Sequence, residues 1–200
     1  MEKKFLPWDQ ILARRFVKPL SKTSITPNQL TLLTAFLAFV GAGLLASGDR
    51  GYANWGASLF VIARFLDHFD GELARLKGME SKFGYYMDYV AGAGSYVALF
   101  LALGIGFQED VFGQWSLLIG VIGALTAIVA AFSNIAIDRV TGSDETGDAV
   151  GYPGFAGFEL EDGIYLLAPI TWFGFLYPFF WRPALVLQFT VYGLWPNGGG

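Results

Sequence analysis

Cysteine is absent from this 200-residue chain, and histidine occurs once, as His68. Disulfide scaffolds, thiolate zinc sites and cysteine nucleophiles are therefore excluded, and there is no material for a multi-histidine metal centre. Any metal must be held by oxygen. Charge is scarce too: 15% of the residues are Asp, Glu, Lys or Arg, against about a quarter in an ordinary soluble domain. The place of charge is taken by apolar bulk, with 54% hydrophobic and 17% aromatic residues, which argues against a cytosolic globule. A net charge of -4 argues against a general nucleic-acid binder. The average hides an asymmetry, because Lys3, Lys4, Arg14, Arg15, Lys18 and Lys22 place six of the thirteen basic residues in the first 22 positions. Long low-complexity segments and internal repeats are missing as well.

Apolar stretches recur at 30–47, 55–66, 89–107, 115–137, 164–180 and 183–195. A helix crossing the hydrocarbon core needs about 20 residues. The first, third and fourth stretches qualify directly, whereas the second qualifies only if its helix continues beyond Leu66 through a charged segment. The last two are separated by Trp181 and Arg182 alone, which predicts a tight helical hairpin turned at Trp181, Arg182 and Pro183. Pro178 and Pro183 cannot both lie in an unbroken helix without a kink. The reading is an all-α single membrane domain over 1–200: a lead-in at 1–29, six transmembrane helices within 30–197 and a tail at 198–200. The polar stretch 138–157 reads as a loop between the fourth and fifth spans.

With both termini cytoplasmic, the inner segments hold eleven basic residues and the outer turns hold only Arg50 and Arg182. That bias sets the orientation. A cleaved signal peptide is not expected, since the first 29 residues lack a continuous apolar core. Phe5, Trp8, Ile11, Leu12 and Phe16 recur at helical spacings, with Lys4, Arg14, Arg15 and Lys18 elsewhere on the wheel. This predicts an amphipathic helix lying in the cytoplasmic interface, or, equally, a simple topology anchor.

The chemistry-bearing residues gather in 67–92. Asp67, Asp70 and Ala74 follow at steps of three and four, and Asp67, Gly71 and Ala74 at steps of four and three, so two carboxylates and a small-residue strip share a helix face. Gly84 and Asp88 are likewise four apart at the start of the next span. Carboxylates near membrane helix ends can simply be solvated, and small residues can serve packing. Yet Asp67, Asp70 and Asp88 fall within the lengths needed to complete two spans, where ionised groups are expensive unless paired with cations. Arg75 can pair with one carboxylate, not three. Converging hard oxygen ligands suit Mg2+ or Mn2+, completed by phosphates and water.

The segment resembles the signature of the CDP-alcohol phosphotransferase family: Asp, two residues, Asp-Gly, two residues, Ala-Arg, eight residues, Gly, three residues, Asp, three residues, Asp. Asp67, Asp70, Gly71, Ala74, Arg75, Gly84 and Asp88 match in type and spacing, and Pro27, Asn28, Leu30 and Thr31 match the Pro-Asn-x-Leu-Thr lead-in to the family's first span. The resemblance implies six membrane helices, an N-terminal interfacial helix and transfer of a substituted phosphate from a CDP-alcohol, such as CDP-diacylglycerol, to an acceptor alcohol with release of CMP. It assigns Asp67, Asp70 and Asp88 to two Mg2+ or Mn2+ ions, and Asn28, Asp67, Gly71, Ala74, Arg75 and Gly84 to the nucleotide. It further implies phospholipid biosynthesis, membrane lipids as partners, a homodimer and placement in the cell (inner) membrane.

The eighth position of the signature departs, because the final Asp falls on Gly92. The resemblance gives that residue a share of the second metal and the role of catalytic base. Substitutes for the base are Glu161 and Asp162, in an acidic cluster with Glu159 before the fifth span, then His68 and Asp138. The cluster also suits a helix N-terminus, where negative charge is favourable, and this reading stands ahead of catalysis. A catalytically impaired nucleotide- or lipid-binding protein of the same fold is the alternative function. Ion-coupled transport is disfavoured, since the carboxylates lie at one membrane surface instead of the midplane. The acceptor alcohol is left open; Arg139, Arg14, Arg15 and Lys18 are basic residues available to a phosphorylated one.

Overall fold

Thr26 starts the first long helix with a reciprocal cap. Its hydroxyl accepts from the Gln29 amide at 3.3 Å, and the Gln29 side chain accepts from the Thr26 amide at 2.9 Å. Pro27 occupies the first helical position, where its missing N–H has no intrahelical partner to lose. The computed structural model describes residues 8–109, 113–141, 154–155 and 158–176. Its elements are α1 (Trp8–Leu20), α2 (Pro27–Leu45), α3 (Arg50–Lys77), α4 (Lys82–Gly106), α5 (Gln114–Thr141), β1 (Gly154–Phe155), β2 (Phe158–Glu159), a 3-10 helix (Leu160–Leu166) and α6 (Leu167–Trp172). The two strands pair antiparallel over two residues each. They are the one non-helical ordered element among the described residues.

Asp49 caps α3 by accepting from the Tyr52 amide at 2.9 Å, and Ser81 caps α4 by accepting from the Gly84 amide at 3.0 Å. Gly78 ends α3 at φ 62°, a left-handed conformation that costs glycine little. The core lies where α2, α3, α4 and α6 meet, around Ala42, Ala57, Phe60 and Leu103. Small residues bring the backbones together. A Cβ on Gly56 would stand 2.6 Å from the Gly41 carbonyl oxygen, and one on Gly41 would stand 2.7 Å from that of Gly56. Only glycine permits so close a crossing of α2 and α3. A second cluster joins α1 to the far end of α3 through Ala13, Val17, Phe69 and Leu73. Lys77 ties down the α1–α2 connection by donating to the carbonyls of Thr23 and Ile25, each at 2.7 Å.

Among the described residues, Pro27–Leu45, Lys82–Gly106 and Gln114–Val140 are long and apolar enough to cross a membrane. Large side chains on their outer faces, including Leu32, Phe36, Leu125 and Phe132, are exposed. Such surface suits lipid, and the helices satisfy their own backbone groups as a bilayer requires. The second stretch does continue past Leu66, since α3 runs for 28 residues.

Several boundaries differ from expectation. The third span starts at Lys82, seven residues before its apolar stretch, because Ser81 provides the cap. The fourth continues to Thr141, so Asp138 belongs to a helix and not to the loop. The fifth stretch is not one helix: a 3-10 segment leads into α6, which is six residues long. Pro169 lacks an amide proton and would clash with the carbonyl four residues back, so it is tolerated in the first turn of α6 but not inside a longer helix. Gly174, at φ 77°, then ends that helix, with the Phe175 amide donating to Ile170 O at 2.8 Å. The hairpin expected at Trp181, Arg182 and Pro183, the sixth stretch and the tail lie outside the described residues.

Candidate metal and nucleotide site

Asp67 and Asp70 project from the C-terminal part of α3 and Asp88 from the first half of α4. One ligand oxygen from each lies within 4.8 Å of the others. Asp70 is buried, and Asp67 and Asp88 are half-buried. Two carboxylates about 5 Å apart repel by on the order of 3 kcal/mol at an effective dielectric constant of ~20. A cation shared among them relieves this. With three carboxylates and no sulfur or imidazole in the group, the donor chemistry fits Mg2+ or Mn2+.

The carboxylates are held in place from two sides. Asp70 Oδ2 accepts from the Thr31 hydroxyl at 2.5 Å, and Oδ1 accepts from the Gly71 amide at 2.7 Å. Asp67 Oδ2 accepts from Arg64 Nη1 at 2.8 Å. The Thr34 hydroxyl has one proton for two acceptors, the Thr31 carbonyl at 2.9 Å and Asp67 Oδ1 at 3.4 Å. The shorter contact identifies the carbonyl as its main partner. Thus α2 contributes the threonine beneath Asp70, and α3 contributes the arginine beside Asp67.

Arg75, expected to orient a carboxylate or meet a phosphate, donates from Nη2 to Glu72 Oε1 at 2.8 Å. Arg14 of α1 reaches the same oxygen at 3.0 Å through Nε. Glu72 is buried, so two arginines on its single oxygen supply the compensation that a buried charge needs. The Arg75 guanidinium passes over Gly71, where a Cβ would lie 3.6 Å from Nη2. Asn28 and Gly84 are also brought together, since a Cβ on Gly84 would be 3.3 Å from Asn28 Oδ1. Ala74 follows Gly71 by one turn and is half-buried.

The proposed substitutes for the base are scattered. Asp138 is 2% exposed, and its Oδ2 accepts from the hydroxyls of Tyr85 at 2.6 Å and Tyr89 at 2.5 Å. It is not one of the three clustered carboxylates. Arg139 lies beside it, with its guanidinium carbon 5.8 Å from the centre of the Tyr86 ring. His68 is half-buried on α3, and Asp162 is half-buried in the 3-10 helix. The side chains of Glu159 and Glu161 lie outside the described residues. Sequence reasoning missed the hydrogen bond from Thr31 to Asp70 and the site roles of Glu72 and Arg64. Only the spacing of Thr31 and Thr34, three apart in an apolar helix, hinted at a polar inner face.

Fold and site together define a helical membrane protein in which three carboxylates from two helices converge in an arrangement that could hold a cation. The chain belongs to the CDP-alcohol phosphatidyltransferase family, whose sequence model matches residues 24–191. It is 38% identical over 79 residues to the phosphatidylinositol phosphate synthase of Corynebacterium glutamicum, covering 40% of this chain and 35% of that protein. It is 35% identical over 88 residues to the ceramide phosphoethanolamine synthase of Drosophila melanogaster, covering 40% of this chain and 22% of that one. The matches therefore span well under half of each of these two relatives. Among solved structures, the phosphatidylinositol phosphate synthase of Mycobacterium tuberculosis with CDP-DAG bound has the same fold. The TM-score is 0.59 at 21% identity, over 92% of this chain and 87% of that one.

Proposed function

We propose that the protein transfers a substituted phosphate from a CDP-alcohol, such as CDP-diacylglycerol, to an acceptor alcohol and releases CMP, as a step in phospholipid biosynthesis. The observation that carries this reading is the convergence of Asp67, Asp70 and Asp88 in a chain of this family. Asp67, Asp70 and Asp88 would hold Mg2+ or Mn2+, which supplies charge neutralisation at the pyrophosphate and the leaving CMP. Gly71 and Ala74 leave the α3 backbone open to close approach of the nucleotide. Arg75, oriented by Glu72, offers a planar fork to a phosphate. Asn28 and Gly84 border the nucleotide where α2 and α4 begin.

In the reaction, the acceptor oxygen forms a bond to the phosphorus that carries the donor alcohol. The bond from that phosphorus to the bridging oxygen breaks, CMP departs with the electron pair, and the hydroxyl proton passes to a base. Glu161 and Asp162 are the first choices for that base, followed by His68. Asp138, whose Oδ2 already accepts hydrogen bonds from two phenol hydroxyls, ranks last. The working form is a single-domain homodimer in the cell membrane, with six spans, α1 at the interface, and both termini and the site cytoplasmic.

The test is CMP release by purified protein given CDP-diacylglycerol, CDP-choline or CDP-ethanolamine, Mg2+ or Mn2+, and a panel of alcohols. Metal-dependent release is expected with at least one pair. Gly92, which brings no carboxylate to the site, favours the second reading, a nucleotide-binding protein without turnover. Metal-dependent CDP binding without CMP release from any pair would establish that reading instead.

A further inference from the structure

We propose that Arg64 serves as a fixed second cation of this site, so that the protein binds a single divalent ion among Asp67, Asp70 and Asp88. The proposal rests on the metal-dependent reading above and concerns how many ions that site takes.

Asp88, Gly92 and Tyr96 succeed one another at single helical turns along α4. Arg64 stands three residues before Asp67 on α3 and reaches across to this stripe. Its Nη1 donates to Asp67 Oδ2 at 2.8 Å, and its guanidinium carbon lies 5.2 Å from the centre of the Tyr96 ring. The same Nη1 would be 3.8 Å from a Cβ built on Gly92, and apart from the adjoining residues and backbone of α4 itself no other described atom lies within 4 Å of that point. The guanidinium is therefore positioned by a carboxylate, by an aromatic face and by the bare surface of a glycine. Its side chain is 13% exposed and that of Asp67 15%, so the pair is screened from water and from the rotamer freedom of surface ion pairs.

Charge and ligand count point the same way. Before a nucleotide enters, three ionised carboxylates carry three formal negative charges, Arg64 returns one unit, and one divalent ion balances the remainder. A second ion would have to compete with a guanidinium for Asp67. It would also need a protein oxygen of its own, since Mg2+ is normally anchored by one or two carboxylates. The next position on the α4 stripe is Gly92, which has no side chain. A carboxylate placed there would meet Arg64 first.

The experiment counts Mn2+ per chain by electron paramagnetic resonance, on full-length protein in lipid nanodiscs with saturating CDP. Wild type is expected to bind one ion. Gly92→Asp alone should still bind one, because the new carboxylate pairs with Arg64. The double variant Arg64→Gln, Gly92→Asp should bind two. Two ions in the wild type, or one in the folded double variant, would overturn the role of Arg64 and leave the metal-dependent reading standing. No bound Mn2+ in the wild type would overturn both. If the double variant fails to fold, Gly92→Asp alone still tests Arg64, because two ions in that variant would overturn its role.

Discussion

Replacing Thr31 with Val should weaken Mn2+ binding about 10-fold to 100-fold while leaving the helices assembled. The hydroxyl that would be lost donates to Asp70 Oδ2 at 2.5 Å, in a place where the residues are 3% and 6% exposed. Water cannot easily replace it there. A hydrogen bond to a charged group contributes about 1.5–3 kcal/mol, and each 1.4 kcal/mol is a factor of about ten in affinity. Valine retains the branched shape, so the change falls mainly on the carboxylate, which keeps only the Gly71 amide at 2.7 Å among its described donors. The assay is titration of Mn2+ into nanodisc-embedded protein, following the free-ion resonance signal. Thr31→Ser should stay close to wild type. Thr34→Val provides an internal contrast, because the proton of Thr34 goes chiefly to the Thr31 carbonyl. Its effect should be under about threefold, smaller than a true ligand-supporting bond. Mn2+ affinity in Thr31→Val within about twofold of wild type would refute the claim that this threonine holds Asp70 for the metal.

Asp67→Ala and Asp88→Ala should each abolish metal-dependent binding of CDP, measured by equilibrium dialysis with and without Mg2+; undiminished binding in both would remove the proposed site. Glu72→Gln should loosen α1, because Arg14 and Arg75 share Glu72 Oε1, although the arginines are 47% and 36% exposed and partly hydrated. The expected loss is about 1 kcal/mol after that screening, read as several-fold faster hydrogen exchange over Trp8–Leu20; unchanged protection would count against it. Gly56→Ala should lower the denaturation midpoint by the equivalent of about 1–3 kcal/mol, since the new methyl meets the Gly41 carbonyl at 2.6 Å. A midpoint equal to wild type would show that α2 and α3 can separate at no cost.

The three aspartates were legible in the sequence because the helical repeat alone puts Asp67 and Asp70 on one face and Asp88 at the start of the next helix. The continuation of the helix past Leu66 was legible as a condition on its length, although α3 is not among the described helices apolar enough to cross a membrane. What could not be read is how neighbouring helices are set against each other. Whether Thr31 faces Asp70, or Arg64 faces Gly92, depends on the depth at which α2, α3 and α4 interlock. That depth is fixed by contacts such as Gly41 against Gly56, which no linear pattern specifies. Glu72 was passed over because its two arginines come from the same helix and from α1, 58 residues away. The stretch 164–180 misled through composition, which registers apolarity but not the missing amide of Pro169 or the backbone turn at Gly174.

The left-handed turn at Gly78 also bears on how the protein is made. Four residues, 78–81, join the helix bearing Asp67 and Asp70 to the helix bearing Asp88, and both helices pack on α2, so the carboxylates are brought together across a short connection and a shared neighbour. As the chain leaves the ribosome, α2, α3 and α4 are all complete before α5 has been synthesised. Every residue of the acidic centre, and the threonine that supports it, is thus made before the helices that follow.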